Sequence, residues 1–77
     1  MPTIFIAGYK FRFYSSDRVE PPHMHIIHGG KVAKVWLAPV AVEYNYGYNQ
    51  AELNRIVRLT RANRQQLLEK WHEHFGR

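Results

Sequence analysis

The sequence predicts an α+β fold, a small antiparallel sheet of four to five strands packed on one face by a long C-terminal helix. Before Tyr48, short segments rich in aromatic and β-branched residues alternate with Gly and Pro. From Asn49 onward, apolar residues recur at helical spacing, and no Gly or Pro intervenes before Gly76. With 77 residues and no internal repeat or linker, there is room for one hydrophobic core, so residues 1–77 are predicted to form a single domain.

Five segments have the composition of β-strands, and Gly or Pro residues stand at the breaks between them. The predicted strands are Thr3 to Ile6, Tyr9 to Ser15, Met24 to His28, Val32 to Leu37 and Val40 to Asn45. Gly29 and Gly30 can supply the positive φ angles of a tight hairpin, whereas Pro39 would interrupt the ladder of a central strand. The residues from Ser15 to Pro22 are interpreted as a loop.

The last third of the chain has the pattern of an amphipathic helix from Asn49 to Phe75. Asn49 and Glu52 have the spacing of a capping box at its start. The apolar positions that define its buried side are Leu53, Ile56, Val57, Leu67, Leu68, Trp71 and Phe75. Because the middle of this stretch is almost entirely polar, two interpretations stand: one continuous helix, taken first, or a helix broken near Ala62 and Asn63.

Alternation along each strand sorts the side chains of the sheet into two faces. The apolar set, predicted to receive the helix, is Phe11, Phe13, Met24, Ile26, Ala33, Val35, Leu37, Val40, Val42 and Tyr44. The opposite set is Lys10, Arg12, Tyr14, His23, His25, Lys34, Trp36, Glu43 and Asn45. This second face combines cations, imidazoles and aromatic rings, which makes it the predicted location of a functional site.

The segment Pro21-Pro22-His23-Met24-His25 carries the strongest local signal for chemistry. Its spacing projects His23 and His25 from the same side of one strand, close enough to act on one ligand. Because an imidazole changes charge near neutral pH, the pair could serve as base and acid in phosphodiester cleavage. The alternative is that both are ordinary surface or hydrogen-bonded histidines.

The same His-x-His spacing suits a metal ion, but a zinc site needs at least three protein ligands. His28 is the next histidine in sequence, and its parity places it on the opposite face. Glu43 or Asp17 could complete a site only through the fold. The sequence therefore assigns no metal ligand, and since nucleotide-binding motifs are absent, it predicts no cofactor.

The cationic and aromatic residues of the predicted polar face are suited to a polyanion. Arg12, Lys10 and Lys34 can contact phosphate, and Tyr14 and Trp36 offer surfaces on which an unstacked base can rest. A formal net charge of +5 and a pI near 9.9 favour the same class of partner, either nucleic acid or an acidic protein. The alternative is a solvated sheet face held by cross-strand pairs.

The chain contains no cysteine, and its first residues include neither a basic leader nor a long apolar run. No segment approaches the ~20 apolar residues that a membrane span requires. These features predict a soluble, cytoplasmic protein without thiol chemistry or membrane association. Trp71 and Phe75 near the C-terminus, together with an unpaired sheet edge, are compatible with a homodimer.

Taken in order, these residues resemble a family of small bacterial proteins, the domain of unknown function 4160. The resemblance covers nearly the whole chain, through Pro2-Thr3-Ile4, Gly8 to Ser15, Pro21 to His25, Ala33 to Leu37, Asn45 to Tyr48, Glu52-Leu53 and Leu67 to Trp71. The family motif corresponds to Tyr9, Arg12, Tyr14, His23, His25 and Lys34. The resemblance implies one component of a two-gene, toxin-antitoxin-like module, with a domain of unknown function 2442 protein as its partner.

Two functions from different classes follow as expectations. The first is a toxin component that acts on RNA as a metal-independent endoribonuclease, in which His23 and His25 exchange protons while Arg12 and Lys34 stabilise the charged phosphorane. Its predicted binding residues are Lys10, Tyr14, Trp36 and Tyr9. The second is a non-catalytic binding module that uses the same face to pair with an acidic partner protein or with nucleic acid.

Overall fold

A computed structural model describes residues 3–76 as five strands followed by two helices. The strands are β1 (Thr3–Ile6), β2 (Tyr9–Arg12), β3 (His23–His28), β4 (Lys31–Leu37) and β5 (Val40–Tyr46), and the helices are α1 (Gln50–Ala62) and α2 (Arg64–Phe75). A short 3-10 helix, Ser15–Val19, lies between β2 and β3. The α+β class and the antiparallel sheet predicted from the sequence are confirmed.

The sheet is a meander in which each strand pairs antiparallel with the next one along the chain, in the order β1-β2-β3-β4-β5. The predicted hairpin at Gly29 and Gly30 joins β3 to β4, with Gly29 at a φ of 61°. Pro39 lies in the turn between β4 and β5, outside both ladders, as its missing N–H requires. Neighbours in sequence thus become neighbours across the sheet.

Strand β2 is shorter than predicted, because the chain turns after Arg12 and not after Ser15. The cause lies at Asp17, whose Oδ2 accepts a hydrogen bond of 2.8 Å from the backbone N–H of Tyr14. The N–H of Asp17 in turn donates to the Tyr14 carbonyl at 2.9 Å. This local bonding replaces ladder pairing and starts the 3-10 helix within the segment predicted as a loop.

The hydrophobic core lies between one face of the sheet and the two helices. Its buried members are Tyr9, Phe11, Phe13, Met24, Ile26, Ala33, Val35, Leu37, Tyr48, Ile56, Leu67 and Trp71. The period-2 prediction for this face is therefore confirmed along β2, β3 and β4. Each fully buried large side chain contributes about 1.5–3 kcal/mol relative to exposure, so the helical layer is essential to the fold.

The helical region is divided at Asn63, so the broken alternative describes the chain and one continuous helix does not. Asn63 has φ −113° and ψ 15°, outside the helical range, and its Nδ2 donates to the Leu59 carbonyl at 2.8 Å. Just beyond the break, Nε of Arg64 donates to the Leu37 carbonyl at 2.6 Å. These bonds fix the direction of α2 relative to α1, and in that direction Trp71 of α2 packs against the sheet.

A β-bulge in β5 changes which side chains reach each face. Lys34 lies opposite Tyr44 whereas Val35 lies opposite Val42, so Glu43 is the extra residue. Tyr44, predicted on the apolar face, therefore lies on the face away from the helices, which we call the open face. Asn45, predicted on the polar face, lies on the helix-covered face and forms hydrogen bonds with the backbone of Tyr48. The period-2 prediction was wrong for these two residues because a bulge reverses the parity of every residue after it.

The link from β5 to α1 requires a glycine. Gly47 has a φ of 104°, and a Cβ on it would lie 2.7 Å from Cγ of Lys31. Asn49 then caps α1, with its Oδ1 accepting from the backbone N–H of Glu52 at 2.8 Å. Among residues 3–76, neither helix combines the length and the apolarity needed to cross a membrane.

Candidate functional site

One row of side chains crosses all five strands on the open face and brings together three of the four predicted catalytic residues. Its members, in strand order, are Thr3, Arg12, His25, Lys34 and Tyr44. Each lies directly opposite the next, so their Cβ atoms are about 4.5–5.5 Å apart. Arg12, His25 and Lys34 thus form one continuous surface, as their strand positions predicted, and we call these five residues the central row.

A second row beside it contains the most exposed aromatic rings of the sheet. It comprises Phe5, Lys10, Ile27, Val32 and Tyr46. Phe5 is 67% exposed and Tyr46 is 66% exposed, and the Tyr46 ring lies 5.0 Å from that of Tyr44. Sequence analysis did not predict Phe5, Tyr44 or Tyr46 as site residues. Tyr44 was assigned to the wrong face, and Tyr46 lies beyond the predicted end of its strand. Phe5 was assigned to neither face.

His23 lies next to the central row, opposite Trp36, and it has no solvent-exposed surface. Its ring is packed 5.4 Å from that of Trp36 and 5.1 Å from that of Trp71, centroid to centroid. Its Nδ1 lies 2.9 Å from the Pro21 carbonyl oxygen. The predicted pairing with His25 is present, with ring centroids 5.2 Å apart, but His23 offers no surface that an RNA or protein partner could contact.

Asp17 joins the two histidines from the 3-10 helix. Its Oδ2 lies 3.2 Å from Nε2 of His23 and 3.3 Å from Nε2 of His25. The Tyr14 backbone N–H that donates to the same oxygen holds the carboxylate in place. The sequence contained no period or motif that could locate Asp17, since its position depends on how the 3-10 helix folds back over β3.

His25 is the histidine that reaches the open face, with 12% of its side chain exposed. Its ring is packed 5.0 Å from that of Tyr14, and its Nδ1 lies 3.4 Å from the Tyr44 hydroxyl. Burial lowers the pKa of His25 below its usual value, although the Asp17 carboxylate opposes that shift. The imidazole is therefore neutral at physiological pH and can offer a lone pair.

Lys34 is engaged by two neighbours. Its Nζ lies 2.6 Å from Oε1 of Glu20 and 4.8 Å from the centroid of the Trp36 ring. The hydrogen bond from Lys34 lowers the pKa of the Glu20 carboxyl, so this acid stays ionised and offsets the lysine charge. Within residues 3–76, Lys10 and Arg12 are the open-face cations that form no ion pair with a carboxylate.

The remaining predicted binding residues divide between the two sides of the sheet. Trp36 lies on the open face, where its Nε1 donates to Glu43 at 3.0 Å. An apolar hollow beside it is lined by Pro21, Trp36, Ala38, Pro39 and Ala41. Tyr9 is on the helix-covered face, only 4% exposed, with its hydroxyl donating to Glu52 at 3.1 Å. Tyr9, predicted as a binding residue, therefore lies on the opposite side of the sheet from Arg12, because its parity matches that of Phe11.

The comparisons with known proteins agree with the resemblance drawn from the motifs. A family model described as Domain of unknown function (DUF4160) matches residues 8–72, which include β2 to β5 and most of the helical region. Neither the curated proteins nor the solved structures contain a match to the chain.

Proposed function

We propose that this chain, which belongs to the domain of unknown function 4160 family, binds single-stranded RNA on the open face of its sheet. The observation that carries the proposal is the second row, in which Lys10 lies between the exposed rings of Phe5 and Tyr46. Base stacking on aromatic side chains combined with cations that track the backbone is the general mode of single-strand recognition. The open face supplies both components.

The spacing of the rings suits an extended strand of nucleotides. Phe5 is on β1 and Tyr46 on β5, at opposite edges of the sheet. Four inter-strand spacings of about 4.8 Å separate them by roughly 19 Å, so each ring can stack a different base. Lys10 and Arg12 lie on β2, between those edges, where they can contact the intervening phosphates.

Cleavage of the bound RNA is a second candidate function, favoured by the position of His25 between Arg12 and Lys34 in the central row. A neutral His25 could take the proton of a 2′-hydroxyl. The predicted metal-independent mechanism also needs a second proton-transfer group at the substrate, and the burial of His23 argues against that residue. The Tyr44 hydroxyl, 3.4 Å from His25, is the alternative donor. Binding is therefore our first proposal and endoribonuclease activity our second.

The toxin-like role and the domain of unknown function 2442 partner implied by the family resemblance are also proposals. A small acidic partner that covers the open face would mask both Lys10 and Tyr46. Growth arrest on expression of the chain, relieved by Tyr46→Ala or by the co-expressed partner, is the expected result. Unimpaired growth at the same soluble level would contradict the toxin role while leaving RNA binding intact.

The direct test of RNA binding is fluorescence anisotropy of a labelled single-stranded RNA of mixed sequence. Loss of one stacking ring costs about 1–3 kcal/mol, so Tyr46→Ala is expected to weaken binding by about fivefold to a hundredfold. Lys10→Ala should weaken binding and reduce its salt dependence, because one phosphate contact is lost. Arg58→Ala is the matched control, since Arg58 is exposed on α1, on the other side of the molecule.

Two outcomes would overturn the binding proposal. Equal losses in Lys10→Ala and Arg58→Ala would mean that net charge alone attracts the RNA. An unchanged affinity in Tyr46→Ala would mean that the open face is not the contact surface. Gel analysis of the same RNA after incubation tests cleavage separately, with His25→Ala as the inactive variant that still binds.

A further inference from the structure

We propose that Asp17, His23 and His25 form a binding site for a divalent transition-metal ion. The proposal goes beyond RNA binding and does not depend on it. One ligand atom from each residue, a carboxylate oxygen or an imidazole nitrogen, lies within 4.8 Å of those of the other two. Two imidazoles and one carboxylate are a donor set common to zinc and non-haem iron sites.

The distances between the ligand atoms already approach those found around a bound metal ion. In a tetrahedral site with bonds of about 2.0–2.1 Å, neighbouring ligand atoms are ~3.3–3.4 Å apart. Oδ2 of Asp17 lies 3.2 Å from Nε2 of His23 and 3.3 Å from Nε2 of His25. Both distances therefore match the spacing of ligand atoms in a tetrahedral site to within about 0.2 Å.

The two facing nitrogens provide a second and independent observation. Nε2 of His23 and Nε2 of His25 are buried, and within residues 3–76 neither forms a hydrogen bond. Their contacts with Asp17 have ion-pair distances but not hydrogen-bond geometry. A cation between these nitrogens and the carboxylate would give each nitrogen the well-aligned partner that its hydrogen-bond geometry lacks.

The acceptors around Nδ1 of His23 suit a metal-ligating histidine. Its Nδ1 faces the Pro21 carbonyl oxygen at 2.9 Å and, at 3.6 Å, a carboxylate oxygen of Glu20. Both of these groups are acceptors, so the tautomer with its proton on Nδ1 satisfies them and leaves the lone pair on Nε2, toward Asp17. A metal-ligating histidine typically donates its other N–H to a carbonyl or carboxylate in this way.

The ligands are also held in position by their surroundings. His23 is packed between Trp36 and Trp71, and the Tyr14 N–H fixes the Asp17 carboxylate. The side chains of Asp17 and His25 remain 15% and 12% exposed, which leaves a route from solvent for the ion and for water at the open coordination positions. Three protein ligands with a solvent position resemble an exchangeable or catalytic site more than a closed structural one.

The test uses the full chain purified without a histidine tag, stripped with a chelator and titrated with Zn²⁺ by isothermal titration calorimetry. We expect one Zn²⁺ per chain, and Asp17→Asn and His25→Gln should each weaken that binding at least about tenfold. His28→Ala is the matched control, because His28 is an exposed histidine of the same strand and lies outside the cluster. Its affinity should equal that of the wild type.

No binding to the wild type, or equal binding in both ligand variants, would overturn the proposal. Because a variant could lose binding by unfolding, a second experiment, nitrogen NMR, uses the wild-type chain alone. Nitrogen NMR of the histidine rings should show Zn²⁺ shifting Nε2 of both His23 and His25. Shifts confined to His72 and His74 would place the ion elsewhere and refute the site.

Discussion

Trp71 is the side chain through which α2 is anchored to the sheet. It is fully buried, and its ring lies 5.2 Å from that of Phe13 and 4.5 Å from that of Phe75. It also contacts His23 at 5.1 Å, so the same indole closes the core and supports the histidine cluster. Aromatic pairs of this kind add about 0.5–1.5 kcal/mol beyond the area they bury.

Truncation of Trp71 is therefore expected to be severely destabilising. Trp71→Ala should lower the free energy of unfolding by about 3–5 kcal/mol, because the helices cannot collapse into a cavity of that size. Urea denaturation followed by circular dichroism measures the change. Phe5→Ala is the control, since Phe5 is 67% exposed and its loss should stay within about 0.5 kcal/mol. Similar losses in the two variants would contradict the role given to Trp71.

At the residue scale, the sequence determined which strand face His23 and His25 share but not their environments. Parity is a local property, so the shared face could be predicted from the strand alone. The burial of His23 depends on Trp71, far away in sequence, and the approach of Asp17 depends on the 3-10 helix. Long-range packing of this kind leaves no signal in a single sequence, so the sequence offered Asp17 only beside Glu43 as a possible third ligand of a metal site.

At the scale of elements, the start of α1 shows how one side chain defines a boundary. Asn49 is in an extended conformation, with φ −77° and ψ 171°, and its Oδ1 accepts from Glu52 N–H at 2.8 Å. The predicted capping box is only half formed, because the Glu52 carboxylate bonds Lys31 at 2.9 Å and Tyr9 at 3.1 Å instead. The acid thus connects α1 to the sheet.

Removal of the Asn49 cap should destabilise the protein modestly. Asn49→Ala leaves an N–H of the first turn without its acceptor and should cost about 1 kcal/mol. Asn49→Asp keeps the acceptor oxygen and should be neutral within a few tenths of a kcal/mol. The midpoints of thermal unfolding of the two variants and the wild type provide the comparison. A larger loss in the Asp variant than in the Ala variant would exclude the capping role.

The bulge in β5 and the break at Asn63 mark the limits of prediction for elements. Composition located all five strands, because glycines and prolines at the turns separate them. Periodicity could not reveal the extra residue Glu43, since a bulge is detected only when the partner strand is known. The polar middle of the helical region indicated a break as one alternative, and the bonds from Asn63 and Arg64 decided it.

At the scale of the whole molecule, a cluster of polar side chains, Tyr48, Lys31 and Glu52, connects the helical layer to the sheet. Tyr48 is 5% exposed, and its hydroxyl donates to the Ile26 carbonyl at 2.9 Å. Lys31 lies 5.5 Å from the centroid of the Tyr48 ring and bonds Glu52, whose pKa this hydrogen bond lowers. The side chains of Tyr48, Lys31 and Glu52 therefore join β3, β4 and α1 to one another.

This cluster predicts a loss of stability at alkaline pH. Burial raises the pKa of Tyr48 from 10.0 to about 12, with the Glu52 charge acting in the same direction. Between these values the unfolded chain has lost the phenolic proton while the folded chain retains it. The unfolded state then binds fewer protons, so the free energy of unfolding falls as the pH rises through this window.

The comparison with Tyr48→Phe isolates this contribution from the titration of lysines in the same range. At neutral pH the variant should be less stable by about 1 kcal/mol, because it lacks the hydrogen bond to Ile26. As the pH rises above 10.0 the wild type should lose stability faster, so the gap between the two unfolding curves closes and reverses before pH 12. Urea denaturation at several pH values measures both slopes, with Tyr46→Phe, an exposed ring, as the control. Parallel curves would mean that Tyr48 ionises equally easily in the folded and unfolded chains.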